Sequence, residues 1–285
     1  MKTKTVDKGI GAPPGSEWPF FASLSVIGGT YVLLIVAMIL ADAAYTSPRQ
    51  IAHALASREI RYAIQLSLFS CTVTAALSSL IAIPLGYLLA RTRFRGQALV
   101  DAVLDVPIVL PPLVIGLSLL ILFQFRVGGA SIESWLTRLG LSVTYHVPAV
   151  ILAQFTVSTA FAVRTMRVSF EQINPRNEQV ALTLGCTRAQ AFWRVSLPEA
   201  RRGLLTAATL AWARALGEFG PILVFAGATR MRTEVLSTSV FLELSVGSIE
   251  AAVAVSLLMI AAAVIVLAIV RTFGSDPAFD RIARP

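Results

Sequence analysis

Apolar stretches long enough to cross a lipid bilayer recur along this chain, and their recurrence limits the fold more than any other feature. A hydrocarbon core of about 30 Å takes roughly 20 apolar residues in helical form. Six segments reach that length, at 24–44, 62–90, 98–125, 147–170, 204–227 and 250–270. Hydrophobic residues make up 56% of the sequence and charged residues 14%, a balance that leaves a soluble domain too little polar surface to face water. The polar stretches between the segments are too short to fold alone. Within lipid each backbone amide must be satisfied internally, which a helix does inside one segment. The expected class is an all-α membrane protein with about six transmembrane helices. Ala41-Asp42-Ala43 imitates a signal cleavage site, but the apolar core before it is longer than an ordinary signal sequence, so a retained span is expected.

Charge sets the expected orientation. With the N-terminus inside, the inner side receives Lys2, Lys4 and Lys8, then Arg91, Arg93 and Arg95, then Arg164, Arg167, Arg176, Arg188, Arg194, Arg201 and Arg202, and last Arg271, Arg281 and Arg284. The outer side keeps only Arg49, Arg58, Arg61, Arg126, Arg138, Arg230 and Arg232. Positive charge collects on cytoplasmic loops, so both termini should be cytoplasmic, in a multi-pass protein of the cell (inner) membrane. The basic excess has no stripe of interleaved aromatics, which argues against nucleic acid as a partner. Cys71 lies in an apolar segment and Cys186 in a polar loop, so a disulfide is not expected. With only His53 and His146 as histidines, no zinc constellation is expected. The glycine- and proline-containing tail before residue 24 reads as flexible, and Ser131–Leu141 reads as a short interfacial helix on the outer face.

The loop between the fourth and fifth segments is unusually ordered. Ala181, Leu184, Arg188 and Ala191 recur at helical spacing, as do Leu182, Gly185, Ala189 and Phe192. Gly185 marks a turn or a close approach of another surface. Leu197-Pro198 is expected to end the helical stretch, because proline cannot continue it. The pattern predicts two short helices meeting at Gly185, with small residues on a docking face.

This stretch resembles the EAA loop of permease subunits of ATP-binding cassette (ABC) importers. That pattern runs Glu-Ala-Ala, three residues, Gly, nine residues, an aliphatic, one residue, Leu-Pro. Gln179-Val180-Ala181, Gly185, Val195 and Leu197-Pro198 keep the register. Gln179 replaces the usual Glu and Val180 the first Ala, with Glu178 one position early, which puts in question any ion pair made by the family's Glu. Ala215-Leu216-Gly217-Glu218-Phe219-Gly220 is similar to a stretch of molybdate and sulfate permeases. Asp105-Val106-Pro107 through Pro111-Pro112-Leu113-Val114-Ile115-Gly116-Leu117 is similar to the proline-rich third span of the same group. Arg232-Thr233-Glu234 looks like sulfate permeases, whereas the absence of Leu-Pro soon after departs from molybdate ones. The likeness covers about 60–270.

The resemblance implies a type I importer permease fold at 61–271. It would be preceded by the tail at 1–23 and by a first span with its outer loop at 24–60, and followed by a tail at 272–285. It implies an ATP-driven importer of molybdate, tungstate or sulfate, working by alternating access, with a cytoplasmic coupling-helix loop. The implied partners are a second permease (a homodimer), two ABC ATPase subunits, an extracytoplasmic solute-binding protein and membrane lipid. No cofactor is implied in this chain; ATP and Mg would be held by the ATPase partner. The residues themselves agree that the chain is not an ATPase, because no lysine follows Lys8 and a phosphate-binding loop needs one. The docking residues implied are Glu178, Gln179, Ala181, Gly185, Ala189, Phe192, Trp193, Leu197 and Pro198. Phe192 and Trp193 are anchors on this view, or else membrane-interface aromatics.

Pathway or gate candidates come from the spans. Pro107, Pro111 and Pro112 remove backbone donors, marking either a pathway-lining bend or a structural kink. Arg214 and Glu218, four residues apart near the end of the fifth segment, form an ion pair or sit at the gate, beside Gly217, Phe219 and Gly220. A fixed negative charge repels an oxyanion, so Glu218 is not a substrate ligand. Ser67, Ser70, Thr74 and Ser78 share a helical face, with Thr156 and Thr159 on another segment. Their hydroxyls either pack helices together or bind a passing oxyanion weakly. The competing function is a proton-coupled secondary transporter of a small anion, motivated by Asp105 and Glu218 within spans.

Overall fold

The computed structural model describes residues 18–274, which divide into two units after Tyr45. The first unit is one helix, α1 (Trp18–Tyr45), of 28 residues. At about 1.5 Å per residue it is long enough to cross a bilayer with some tilt. It starts at Trp18, so residues 18–23 of the tail expected at 1–23 are helical; the rest of that tail, and the tail expected at 272–285 from residue 275 on, lie outside the described residues.

The second unit begins with α2 (Pro48–Ala56), started by a capping box in which Ser47 and Gln50 satisfy each other's backbone amides. Next come α3 (Arg58–Arg91), α4 (Gln97–Val109) and α5 (Pro112–Gln124). A two-residue-per-strand hairpin follows, β1 (Arg126–Val127) and β2 (Ala130–Ser131), turning through Gly128 and Gly129 at φ 62° and 86°. This hairpin amends the all-α expectation; paired glycines at positive φ supply the twist that a tight turn needs. Short α6 (Ile132–Arg138) stands where a helix was expected at Ser131–Leu141. Long α7 (Val147–Gln172) leads to α8 (Pro175–Thr183) and α9 (Arg188–Ala191), then a π-helical turn at Phe192–Ser196 and α10 (Leu197–Glu199). The unit closes with α11 (Arg201–Leu216), α12 (Gly220–Phe225), α13 (Leu236–Ser245) and α14 (Ile249–Gly274).

The core is the seam where α3, α7 and α11 meet. On α3 most buried positions are small (Ala63, Ser67, Ser70, Cys71, Thr74, Ala75, Ser78, Ala82 and Gly86), with Ile60, Leu66 and Leu89 the large exceptions. Small residues let helix backbones approach closely where lipid supplies no hydrophobic drive between helices. A Cβ on Gly86 would lie 2.7 Å from Met166 Cβ, and one on Gly203 would meet the Ser169 hydroxyl at 2.1 Å. Polar side chains cross the seam in pairs: Ser78 and Thr159 share a hydrogen bond of 3.0 Å, and Thr74 Oγ1 donates to Gln154 Oε1 at 3.2 Å.

Among the described residues four helices are long and apolar enough to cross a membrane: α1, α3, α7 and α14; the pair α4 and α5 makes a fifth if counted as one span. Two expected segments are therefore not single helices. The one at 98–125 bends by 113° between Val109 and Pro112. Leu110 and Pro111 are extended, at ψ 141° and 134°, because each precedes a proline whose ring excludes the helical region. The one at 204–227 is divided into α11 and α12 by Gly217-Glu218-Phe219.

Candidate functional site

The segment from Asn174 to Pro198 is built from complementary caps. Asn174 Oδ1 accepts from Arg176 N at 3.0 Å, and Pro175 occupies the first helical position, where its missing amide costs nothing. α8 ends when Gly185 takes φ +90°. Gly185 N donates to Leu182 O and Cys186 N to Ala181 O, both at 3.0 Å. These two bonds are the paired closure of a helix that stops at a left-handed residue. Nothing lies within 4 Å of a Cβ placed on Gly185, so the glycine is needed for its backbone angle alone. Thr187 and Gln190 then start α9 with a second capping box.

The return limb departs from expectation. Pro198 does not end the helix but sits within the first turn of α10. The turn at Phe192–Ser196 is π-helical, with Leu197 N reaching back to Phe192 O. A proline near the start of a fresh turn has no amide to place, so the chain continues through it to Ala200 and α11.

Glu178 holds this segment onto the bundle. Its carboxylate accepts from Arg91 Nε at 3.1 Å, Tyr87 OH at 3.0 Å and Ser196 Oγ at 2.6 Å. Arg91 also donates to Ile173 O at 2.9 Å. The end of α3, the start of α8 and the return limb thus converge on one carboxylate. The Arg91 and Glu178 side chains are 10% and 15% exposed, so the pair is shielded from water and salt. Glu178, expected on the docking face, is turned inward. Neither Arg91, Tyr87 nor Ser196 was legible as its partner, since no sequence spacing connects positions so far apart.

The remaining docking candidates separate into two sets. Ala181 is buried, Leu197 is half-buried, and Phe192 packs at 4.7 Å from Tyr87 and 6.3 Å from Phe170. Gln179, Gly185, Ala189, Trp193 and Pro198 are exposed. Leu184 is 80% exposed and Trp193 64%, large apolar groups standing clear of a polar loop. Phe192 therefore anchors the segment to its own bundle, while Trp193 is exposed like Leu184, which the sequence placed in the helical pattern but not among the docking residues.

The gate candidates divide in the same way. Pro112 and Gly220 meet: a Cβ on Gly220 would lie 2.8 Å from Pro112 Cβ, and one on Gly116 2.8 Å from Pro221 Cα. The break after α4 thereby touches the break after α11, and Pro107 lies within α4, away from that contact. Arg214 Nη1 stands 3.0 Å from Glu218 Oε2, and its guanidinium lies 5.7 Å from the centre of the Phe161 ring. Glu218 is 1% exposed, and Phe219 stacks near Phe241 at 5.2 Å. Ser67, Ser70 and Thr74 are buried in the seam, where Ser67 Oγ accepts from Leu236 N at 2.8 Å and Ser70 Oγ donates to Ser67 O. They pack helices in this conformation and line no open path. Asp105 is engaged by Arg164, and Asp101 by Arg167 Nη1 at 2.7 Å, which joins α4 to α7. Among the described residues no cluster of three metal-ligating side chains converges.

The model for binding-protein-dependent transport system inner membrane components matches residues 82–275. The chain belongs to that family. The sulfate transport system permease protein CysT of Escherichia coli is 33% identical over 86% of this chain and 87% of its own length. The molybdate/tungstate transport system permease protein WtpB of Pyrococcus abyssi is 38% identical over 58% of this chain and 60% of its own. The molybdenum transport system permease protein ModB of Mycobacterium tuberculosis is 36% identical over 72% and 76%. Among solved structures, a bacterial alginate ABC transporter in complex with an alginate-bound periplasmic protein has a TM-score of 0.69 at 17% identity, covering 89% of this chain and 93% of that one. This permease therefore shares the helical fold of ABC importer membrane subunits, and its relatives are sulfate and molybdate or tungstate permeases.

Proposed function

We propose that the chain is the membrane subunit of an ATP-driven importer carrying a tetrahedral oxyanion (sulfate, molybdate or tungstate) into the cytoplasm by alternating access. The observation that carries this reading is the Gly185-hinged segment. It is clamped to the bundle at Glu178 and presents Leu184 and Trp193 outward. A segment moved by a partner must be rigidly joined to what it moves and apolar where it is gripped, and this one is both. Two ATPase subunits, which hold ATP and Mg, would each grip one such segment in a homodimer of permeases. A solute-binding protein would deliver the oxyanion on the opposite face. If α4–α5 and α11–α12 each make one broken crossing the chain has six spans, and the arginine distribution supports a reading with both termini and the Gly185 segment in the cytoplasm. The relatives named for sulfate and molybdate support the oxyanion class. Proton coupling is less well supported, because Asp105 faces Arg164 and Glu218 faces Arg214.

Co-purification tests the reading. The detergent-solubilised permease should bring down an ATPase subunit, and uptake should require ATP. Uptake that ignores ATP and collapses with the proton gradient would hand the function to the secondary-transporter class. Topology is checked at Cys186, which is half-exposed while Cys71 is buried. An impermeant thiol reagent should label Cys186 in inside-out vesicles only; labelling in intact cells overturns the assignment. Gly185→Leu should abolish ATPase association, because a leucine at φ +90° is strained and adds bulk at the grip.

A further inference from the structure

Where α11 stops, at Leu216, its last carbonyls lose their helical partners, and in a membrane protein each must find another. Two of the carbonyls at this break are met by side chains from other helices. Ala215 O keeps a backbone bond from Glu218 N at 3.2 Å and also accepts from Gln154 Nε2 of α7 at 3.2 Å. Glu218 O accepts from Ser237 Oγ of α13 at 2.8 Å. Gln154 is 1% exposed, and among the described residues it is the one buried side-chain amide, bonded to both α3 and α11. Its Oε1 takes the Thr74 hydroxyl of α3, and its Nε2 also lies 3.6 Å from Cys71 Sγ. The orientation is dictated by chemistry: a carbonyl can only accept, so the NH2 faces Ala215 and the oxygen faces Thr74.

We infer that Gln154 is a positioning residue for transport, fixing the end of α11 against α3 and α7 so that displacement of the Gly185 segment reaches the Gly217–Phe219 break intact. This rests on the importer reading above. α11 begins directly after the return limb, at Arg201, and ends at this break, so it is the shortest rigid path between the two. A rod transmits displacement only if its far end does not unwind. Without Gln154 the Ala215 carbonyl keeps only its local backbone bond from Glu218 N, and the last turn of α11 loses its tie to α7 and α3. The push is then absorbed locally and does not move α12 and the Pro112 contact. Ser237 supports the same break from the other side and is half-buried, so its contribution is smaller.

The test uses the full complex of permease, ATPase and binding protein in proteoliposomes, with radiolabelled sulfate or molybdate and ATP hydrolysis measured together. Gln154→Leu keeps the volume and removes both hydrogen-bonding ends. Uptake is expected to fall about tenfold while ATP hydrolysis changes less than about twofold, so that more ATP is spent per ion imported. A merely structural glutamine would lower uptake and hydrolysis together, leaving their ratio at the wild-type value. An unchanged ratio in the assembled Gln154→Leu complex overturns the inference. Should that variant fail to assemble, Ser237→Ala decides instead: a ratio raised about twofold to threefold supports the positioning role, and a wild-type ratio sinks it. Failure of the importer reading itself is seen separately, as wild-type uptake without ATP.

Discussion

The two helix breaks that touch at Pro112 and Gly220 arise from opposite causes. Between α4 and α5 the chain carries its own instruction. Pro111 and Pro112 exclude the helical region at the residue before each, and the path bends by 113°. Between α11 and α12 little local chemistry forces the stop. Gly217 sits at φ −82°, an angle open to any residue, and only Pro221 beyond it disfavours helix. At that break Gln154 and Ser237 donate to backbone carbonyls, of Ala215 and Glu218, that a continuous helix would have used internally. One bend is covalent and travels with the sequence; the other is maintained by neighbours and can be changed by moving them.

The largest expected effect comes from forcing the two breaks apart. Gly116→Val would drive Cβ into the Pro221 backbone, where no flexible side chain can yield. A loss of about 3 kcal/mol or more is expected, read as a lowered thermal midpoint in detergent. A midpoint unchanged from wild type would show that the contact is loose. Next is Glu178→Ala, which acts on the Asn174–Pro198 segment, outside both breaks. It leaves a shielded Arg91 and the Ser196 hydroxyl unpaired and should cost about 2 kcal/mol, with proteolytic nicking appearing first near Gly185. If ATPase association then survives unchanged, the clamp is not what presents the handle.

Smaller effects sharpen the contrast itself. Pro111→Ala alone should leave the bend in place, because residue 111 still precedes Pro112. Replacing both prolines by alanine should release it, lengthening the spin-label distance between positions 99 and 122 by about 10 Å in part of the population. A distance unmoved in the double variant would make this bend tertiary as well. Smallest of all is Gly217→Ala. Its Cβ would meet Ala213 O and Arg214 O at an ordinary 3.9 Å, so a gain of about 0.5 kcal/mol is expected from unfolded-chain entropy. A clear destabilisation would mean that the break after α11 needs glycine locally.

Much of the handle was readable in advance because its signals are short-range. Gly185 between two stretches of helical spacing states a helix end and a new start within a few residues, and two short helices meet there as read. The error at Pro198 came from treating proline as a terminator without asking whether it opened a new turn. The inward turn of Glu178 and Phe192 escaped for another reason: whether a loop residue faces its own bundle or a partner depends on what the rest of the chain places beneath it. In the seam, Ser67, Ser70 and Thr74 fell on one face as read. Their roles could not be chosen until Leu236 N and Gln154 were seen opposite them.

Hydropathy and the positions of proline and glycine determined by themselves that this chain crosses a membrane as helices, is interrupted among Pro107, Pro111 and Pro112, and carries a polar loop of two short helices meeting at Gly185. Those features depend on interactions within a few residues or on solvent choice, which any copy of the sequence carries with it. The tertiary structure alone decided that Arg91 meets Glu178, that the two breaks touch, and that one buried amide joins three helices at the end of α11. Such contacts join positions many tens of residues apart, and their geometry exists only once the helices have packed.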